Sequence, residues 1–244
     1  MKICLCFFGL VPRSIKYTIN SIEEKIFDVL DKNNISYDVC MHTFLARESL
    51  NLSRSKEFNI KLDNDSWKLL KPKYYLTEYQ EDFDKIYDYS KVVKYPDPWK
   101  TNYASVKNVI RQMHSQNEVT KLAKKNYDYD YYIYLRPDII YLEDIDINLI
   151  MKHIKNERSI ICEQNNHIED KYFYCGKIAA DIISKRIENF NEELEKRNKS
   201  FCYAEGYLYS AVFRNKLNVV RMKLKFNKVR AKSYDNNATT VDLA

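Results

Sequence analysis

YYIYLRPDIIYLEDID, residues 131–146, reads as a buried strand that breaks at a turn and resumes. Tyr131 to Leu135 are aromatic or aliphatic without interruption, which suits a strand covered on both faces. The run leads directly into Arg136-Pro137-Asp138 and then a second apolar stretch. Open α/β sheets bind ligands in the crevice beyond the carboxyl ends of their strands. A carboxylate there can hold a hard cation such as Mg²⁺ or Mn²⁺, bridging two phosphates of a ligand. Arg136 offers a planar fork suited to phosphate or carboxylate. The same two residues also fit a plain ion pair at a strand end.

The flanking segments supply the rest of an α/β chain. A helix is expected from Tyr103 to about Lys125, with Val106, Ile110, Met113, Val119 and Leu122 apolar. Residues 2–8 (KICLCFF) form another unbroken apolar run, followed by a turn from Gly9 to Arg13. Ser14 caps a helix carrying Ile15, Ile19, Ile22, Ile26 and Leu30 on one face, and a strand follows at 37–44. Strand, amphipathic helix, strand is a parallel β-α-β unit. Residues 45–102 are polar and Tyr-rich with Pro72, Pro96 and Pro98, so loops, short helices and one strand near 73–76 are expected. Further on come a helix near 146–156, a strand at 158–162, helices at 177–197 and 203–215, and strands at 217–221 and 224–229. The alternation implies a three-layer α/β/α, Rossmann-like fold on a mostly parallel central sheet. A single domain over residues 1–244 is expected, with 233–244 a flexible tail.

Composition narrows the classes. The 244 residues are 45% hydrophobic with 21 Tyr, enough to bury a core. No run approaches the roughly 20 apolar residues of a membrane span. MKICLCFFGLVPRS lacks a small-residue cleavage site and reads as a first strand rather than a signal peptide, so a cytoplasmic protein is expected. Cys4, Cys6, Cys40, Cys162, Cys175 and Cys202 contain no C-x-x-C pair, which favours free thiols over a zinc site or a disulfide framework. The charge of +6 comes without a block of like charge, which suits an anionic small ligand better than a nucleic acid. Gly9, Gly176 and Gly206 are the only glycines, so neither a P-loop nor a G-x-G-x-x-G turn can form. Side chains and a metal must then hold any phosphates.

Literal D-x-D triplets are frequent: Asp63/Asp65, Asp82/Asp84, Asp128/Asp130 and Asp144/Asp146. Asp128 and Asp130 precede the strand, at its amino end, and Asp144 and Asp146 suit the first turn of a helix. Position alone selects Asp138. LRPDIIYL resembles the strand-end acid segment of the GT-A glycosyltransferases encoded by large DNA viruses and bacterial polysaccharide loci. FFGLVPRS resembles that family's first nucleotide-contacting loop, and VKNVIRQMHSQNEV the helix before its metal strand. DKYFYCGK at 170–177, YAEGYL at 203–208 and FNKVRA at 226–231 resemble its later motifs in the right order. The departures are specific: Arg136 replaces the first Asp of D-x-D, Lys171 stands where Arg is common and Ala204 where Ser or His is common. No histidine follows His167, so a C-terminal histidine ligand is missing.

The resemblance implies a nucleotide-binding half at 1–140 and a sugar and acceptor half at 141–232. It implies transfer of a sugar from a nucleotide-diphosphate sugar, UDP-sugar favoured, to a glycan or protein-linked acceptor, with Mn²⁺ or Mg²⁺ on Asp138. Phe8, Gly9, Leu10, Arg13, Arg111, Arg136, Asp138 and Arg230 become donor-contact candidates. Asp170, in a polar loop before an aromatic run, is the first candidate for the base that deprotonates the acceptor hydroxyl, and Glu205 the second. Each also fits a bland reading, a loop-capping acid and a first-turn helix acid respectively. Asp138→Ala is expected to abolish Mn²⁺-dependent donor binding and leave the fold intact. The rival classes are a nucleotidyl- or phosphotransferase, which wants more clustered carboxylates, a nucleic-acid-binding module, and a catalytically dead scaffold. If the chain is virus-encoded, its place is the host cytoplasm or the virion.

Overall fold

The computed structural model describes residues 1–52, 55–164, 168–197, 200–223 and 225–231, so the expected tail at 233–244 lies outside the described residues. The strands are β1 (Lys2–Gly9), β2 (Ser36–Leu45), β3 (Leu50–Leu52), β4 (Glu57–Ile60), β5 (Tyr74–Tyr79), β6 (Tyr131–Leu135), β7 (Ile139–Tyr141), β8 (Ser159–Gln164), β9 (Ile168–Cys175), β10 (Asn218–Arg221) and β11 (Phe226–Lys228). The α-helices are α1 (Ile15–Ile22), α2 (Asp28–Lys32), α3 (Gln80–Ile86), α4 (Ser90–Val93), α5 (Ala104–Asn126), α6 (Ile147–His153), α7 (Lys177–Ser184), α8 (Phe190–Lys196) and α9 (Ala204–Arg214). A π-helical turn, Glu23–Phe27, joins α1 to α2.

Among the described residues the central sheet has seven strands in the order β10-β8-β9-β6-β1-β2-β5. All its pairings are parallel except those of β9, which runs against both β6 and β8. Successive side chains of a strand point to opposite faces. Ile3, Leu5 and Phe7 of β1 join Ile15, Ile22 and Ile150 on one face, while Cys4, Cys6 and Phe8 join Val119, Ala179 and Leu208 on the other. Both faces are covered by helices, which makes the fold three-layered and explains why β1 and β6 are apolar throughout. Each fully buried aliphatic side chain stabilises the fold by roughly 1.5–3 kcal/mol.

From β1 the chain adds β2 and β5 on one side, then returns to place β6 on the other side of β1. The strand order therefore reverses between β1 and β6, the place where open α/β sheets bind ligands. In register, Phe7 lies opposite Leu135, so the Gly9 turn and Arg136-Pro137-Asp138 leave the sheet side by side.

Four features depart from the sequence reading. The polar segment before the aromatic run is not a loop throughout: Asp170 lies inside β9. The helix expected at 177–197 breaks into α7, a 3-10 turn at Lys185–Ile187, and α8. At that break the buried Arg186 donates to Ile183 O at 2.9 Å and to Gln116 Oε1. The strand expected at 224–229 is shorter, and β11 pairs antiparallel with β7 outside the main sheet. The β3–β4 pair was not anticipated in the irregular region.

Candidate functional site

The first wall of the site is the turn after β1. Gly9 has φ +100, which side-chain-bearing residues rarely adopt, and its N–H donates to Ser115 Oγ at 2.7 Å. Val11 N–H donates to Thr43 Oγ1 at 3.1 Å, and Pro12 sits in the following 3-10 turn. Arg13 then reaches back to Glu57, its Nε 3.1 Å from Oε1, with a second contact from Nη2. Glu57 is fully buried and also accepts the Ala231 N–H at 2.8 Å. Burial disfavours its charged form, yet Arg13, Ser55 and Ala231 hold its pKa below the ordinary value. A Cβ built on Gly9 meets nothing within 4 Å, so the cost of Gly9→Val that the structure shows is backbone strain. Its expected cost is about 1–2 kcal/mol in urea unfolding. A variant as stable as wild type would show that the turn tolerates any residue.

The second wall is the turn after β6. Arg136 folds back across Pro137 and grips Asp138 with both prongs, Nε to Oδ1 at 2.9 Å and Nη2 to Oδ2 at 2.6 Å. Its third nitrogen lies 3.5 Å from Asp170 Oδ2, and Arg230 Nη1 stands 3.5 Å from Asp138 Oδ2. The turn is pinned by Thr18 Oγ1 on Pro137 O at 2.7 Å, by Arg136 N–H on Lys171 O at 3.0 Å, and by Val229 N–H on Asp138 O at 2.9 Å. Burial opposes the charge on Asp138, but Arg136, with Arg13 and Arg230 behind it, holds that carboxyl well below the usual range. Against the same burial, Asp138 and Asp170 hold the Arg136 guanidinium above its ordinary value.

The acidic part lies beside it. Asp170 is buried, with Oδ2 accepting from Gln112 Nε2, while Oδ1 has no hydrogen-bond partner among the described residues. Glu205, in the first turn of α9, has its pKa raised by burial and then by Asp170, against Lys171 and Arg136. Glu169, Asp170 and Glu205 each bring one carboxylate oxygen within 4.8 Å of the others. Lys171 Nζ contacts Glu169.

Two adjoining cavities run along this crevice. The first, about 160 Å³, is lined by Phe8, Gly9, Leu10, Arg13, Arg111, Arg136 and Asp138, among others. The second, about 400 Å³, carries Asp170, Glu205 and Arg230. Arg13, Leu52, Asn108, Gln112 and Arg136 line both. All ten residues singled out from the sequence thus lie on one continuous crevice. Three of their guanidinium groups are already engaged: Arg13 with Glu57, Arg136 with Asp138, and Arg111 with Asp84, Nε to Oδ1 at 3.1 Å, and with Asn108 Oδ1 at 3.0 Å. Glu57, Glu169 and Lys228, the last lining the second cavity, were not anticipated. Glu169 adjoins Asp170 in β9, where strand alternation alone would send it to the opposite face, and nothing local marks Glu57.

The surroundings of Asp138 do not fit the Mg²⁺ or Mn²⁺ expected on it. Both oxygens are taken by Arg136, and three guanidinium groups crowd the carboxylate. No second acid or histidine among the described residues groups with it as a ligand set. Glu169, Asp170 and Glu205 fit such a cation better, offering oxygen donors and the unpartnered Asp170 Oδ1.

No protein-family model matches the chain, and no curated protein matches it. Among solved structures, it is similar to a glycosyltransferase involved in the glycosylation of the major capsid of PBCV-1, with 12% identity over 91% of this chain and 82% of that one, TM-score 0.47. It is similar to mouse xyloside xylosyltransferase 1 in its apo form, with 9% identity over 91% and 86%, TM-score 0.47. It is also similar to the galactosyltransferase LgtC in complex with donor and acceptor sugar analogues, with 10% identity over 91% and 73%, TM-score 0.46. At such identities and TM-scores the functional reading rests on the residues of the crevice themselves.

Proposed function

We propose that this chain is a glycosyltransferase that moves a sugar from a nucleotide-diphosphate sugar, UDP-sugar favoured, to a glycan or protein-linked acceptor. One observation carries the reading: a chamber lined by Arg13 and Arg136 opens, at the sheet's switch point, into one holding Asp170 and Glu205. Guanidinium forks suit a diphosphate, and carboxylates suit sugar hydroxyls. The nucleotide occupies the Gly9 turn, its diphosphate faces Arg13, Arg136 and Arg230, and the sugar extends toward Asp170. In an inverting transfer the acceptor oxygen attacks the anomeric carbon while the bond to the diphosphate oxygen breaks. Asp170 takes the hydroxyl proton, and the arginines stabilise the charge gained by the leaving diphosphate. Glu169, Asp170 and Glu205 would be the residues to hold a divalent cation, which would supply further positive charge to the site; an Asp170 that ligates such an ion would leave the role of base to another carboxylate.

No helix among the described residues is long and apolar enough to cross a membrane. A thermal-shift screen of UDP-, GDP-, dTDP- and CMP-sugars, with Mn²⁺ or with chelator, tests the reading. A UDP-sugar is expected to stabilise the fold, by about 2.7 kcal/mol at a hundred times its Kd. Because the arginines carry the diphosphate, chelation is expected to weaken that binding by less than about tenfold, or 1.4 kcal/mol. A screen in which no nucleotide sugar shifts the transition would sink the proposal, and binding without turnover on any acceptor would mark a scaffold.

A further inference from the structure

Behind the wall of the first cavity, β2, β5 and α5 bring together His42, Glu78 and His114, a group that the sugar-transfer reading does not use. Glu78 Oε2 lies 2.8 Å from His114 Nε2 and 3.5 Å from His42 Nε2. One ligand atom from each residue falls within 4.8 Å of the others.

Ser115 anchors His42. Its Oγ lies 3.0 Å from His42 O and 2.8 Å from His42 Nδ1, and it accepts the Gly9 N–H at 2.7 Å. The other ring nitrogen, Nε2, faces the Glu78 carboxylate. His42 is fully buried, and Nε2 has no hydrogen-bond partner among the described residues. In the tautomer protonated on Nδ1, that buried nitrogen offers a lone pair to a cation.

The geometry points to a binding site for a zinc-class divalent cation on His42 Nε2, Glu78 Oε2 and His114 Nε2. Two imidazoles and one carboxylate are a recurrent zinc donor set, which leaves a fourth position for water. Metal–ligand bonds of about 2.0–2.2 Å in a tetrahedron set neighbouring ligand atoms about 3.3–3.5 Å apart. His42 Nε2 and Glu78 Oε2 already stand at 3.5 Å, whereas His114 Nε2 and Glu78 Oε2, at 2.8 Å, must part by about half an ångström to admit the ion. Ser115 supplies the outer partner that metal-bound imidazoles require on their other nitrogen. The side chains of Glu78 and His114 are 25% and 20% exposed, so an ion has a route from solvent. The ion would clamp β2, β5 and α5 beneath Phe44 and, through Ser115, steady the Gly9 turn. The site stands whether or not the crevice transfers sugar.

The test uses the full chain, stripped with chelator and titrated with Co²⁺ and then Zn²⁺. One equivalent of Co²⁺ is expected to give visible bands of four-coordinate intensity that Zn²⁺ removes, and Zn²⁺ to raise the melting temperature. Glu78→Gln and His114→Gln change partly exposed side chains and are expected to lose both signals while melting like the stripped wild type. If one of them fails to fold, the other decides. Ser115→Ala is expected to weaken the ion by about 10–100-fold, as an outer-shell change does. The proposal is overturned if no bands appear, if they persist in both ligand variants, or if Glu205→Gln removes them instead.

Discussion

Asp170→Asn is expected to cut turnover by roughly 10²–10⁴-fold while leaving donor affinity near that of wild type. The exchange keeps the side chain's shape inside β9. The carbonyl oxygen of Asn can still accept from Gln112 and face Arg136, and its amide then occupies the position of the unpartnered Oδ1. What disappears is the proton acceptor beside the sugar chamber. Arg136 keeps Asp138, so the diphosphate side stays charged as before. Removing the Asp170 charge also removes one of the two influences that raise the Glu205 pKa, burial being the larger, so Glu205 should titrate at lower pH in the variant. Single-turnover rates and donor calorimetry on the same preparation separate the two effects. Glu205→Gln is expected to weaken sugar binding and slow turnover together. Near-normal turnover in Asp170→Asn, with Glu205→Gln dead but binding donor fully, would exchange the two roles. Normal turnover in both would place the base elsewhere.

The parts of the fold legible in the sequence are those where apolar pattern and burial agree. ICLCFF and YYIYL have no charged residue to place, so they read as central strands, and the ligand crevice follows from their ends. β9 as a whole was not read as a strand: its leading residues Glu169, Asp170 and Lys171 are charged, and a charged segment reads as a loop. The strand accommodates them by pairing: Asp170 with Gln112 and Arg136, Lys171 with Glu169. Such conflicts between local pattern and observed structure are expected at functional sites. Glu57 was illegible for another reason. Its partners Arg13 and Ala231 are 44 and 174 residues away, and no local signal marks a buried carboxylate satisfied at that distance. At Asp138 the strand end is legible from the apolar run before it, but its surroundings are not. Nothing in R-P-D announces that the guanidinium turns back across the proline to occupy both oxygens.

That arrangement alters what Asp138→Ala should do. A carboxylate whose main task is to ligate metal can be removed with the fold intact, but here its removal strands a guanidinium that is only 21% exposed. Breaking a buried ion pair from one side costs about 3–5 kcal/mol. For a chain of this size that is a fall of roughly 6–20 °C in Tm. The lone contact left to Arg136, Asp170 Oδ2 at 3.5 Å, argues for a loss toward the lower end. The pH dependence carries the same signature. Because the Asp138 pKa is depressed in the folded state, its stabilisation is complete above the unfolded value near 4 and is lost as pH falls toward the folded value. The variant should therefore lose less stability between about pH 4 and pH 2 than wild type does. Replacing both partners, Arg136→Met with Asp138→Leu, is expected to restore much of the stability, since apolar pairs of similar volume often match a buried ion pair. Donor binding should not return with it, because the phosphate-facing fork is gone. In Asp138→Ala itself, donor affinity should fall by the same factor with Mn²⁺ and with chelator, Arg136 having lost its anchor. A loss seen only in Mn²⁺, at unchanged stability, would return Asp138 to the role of metal ligand.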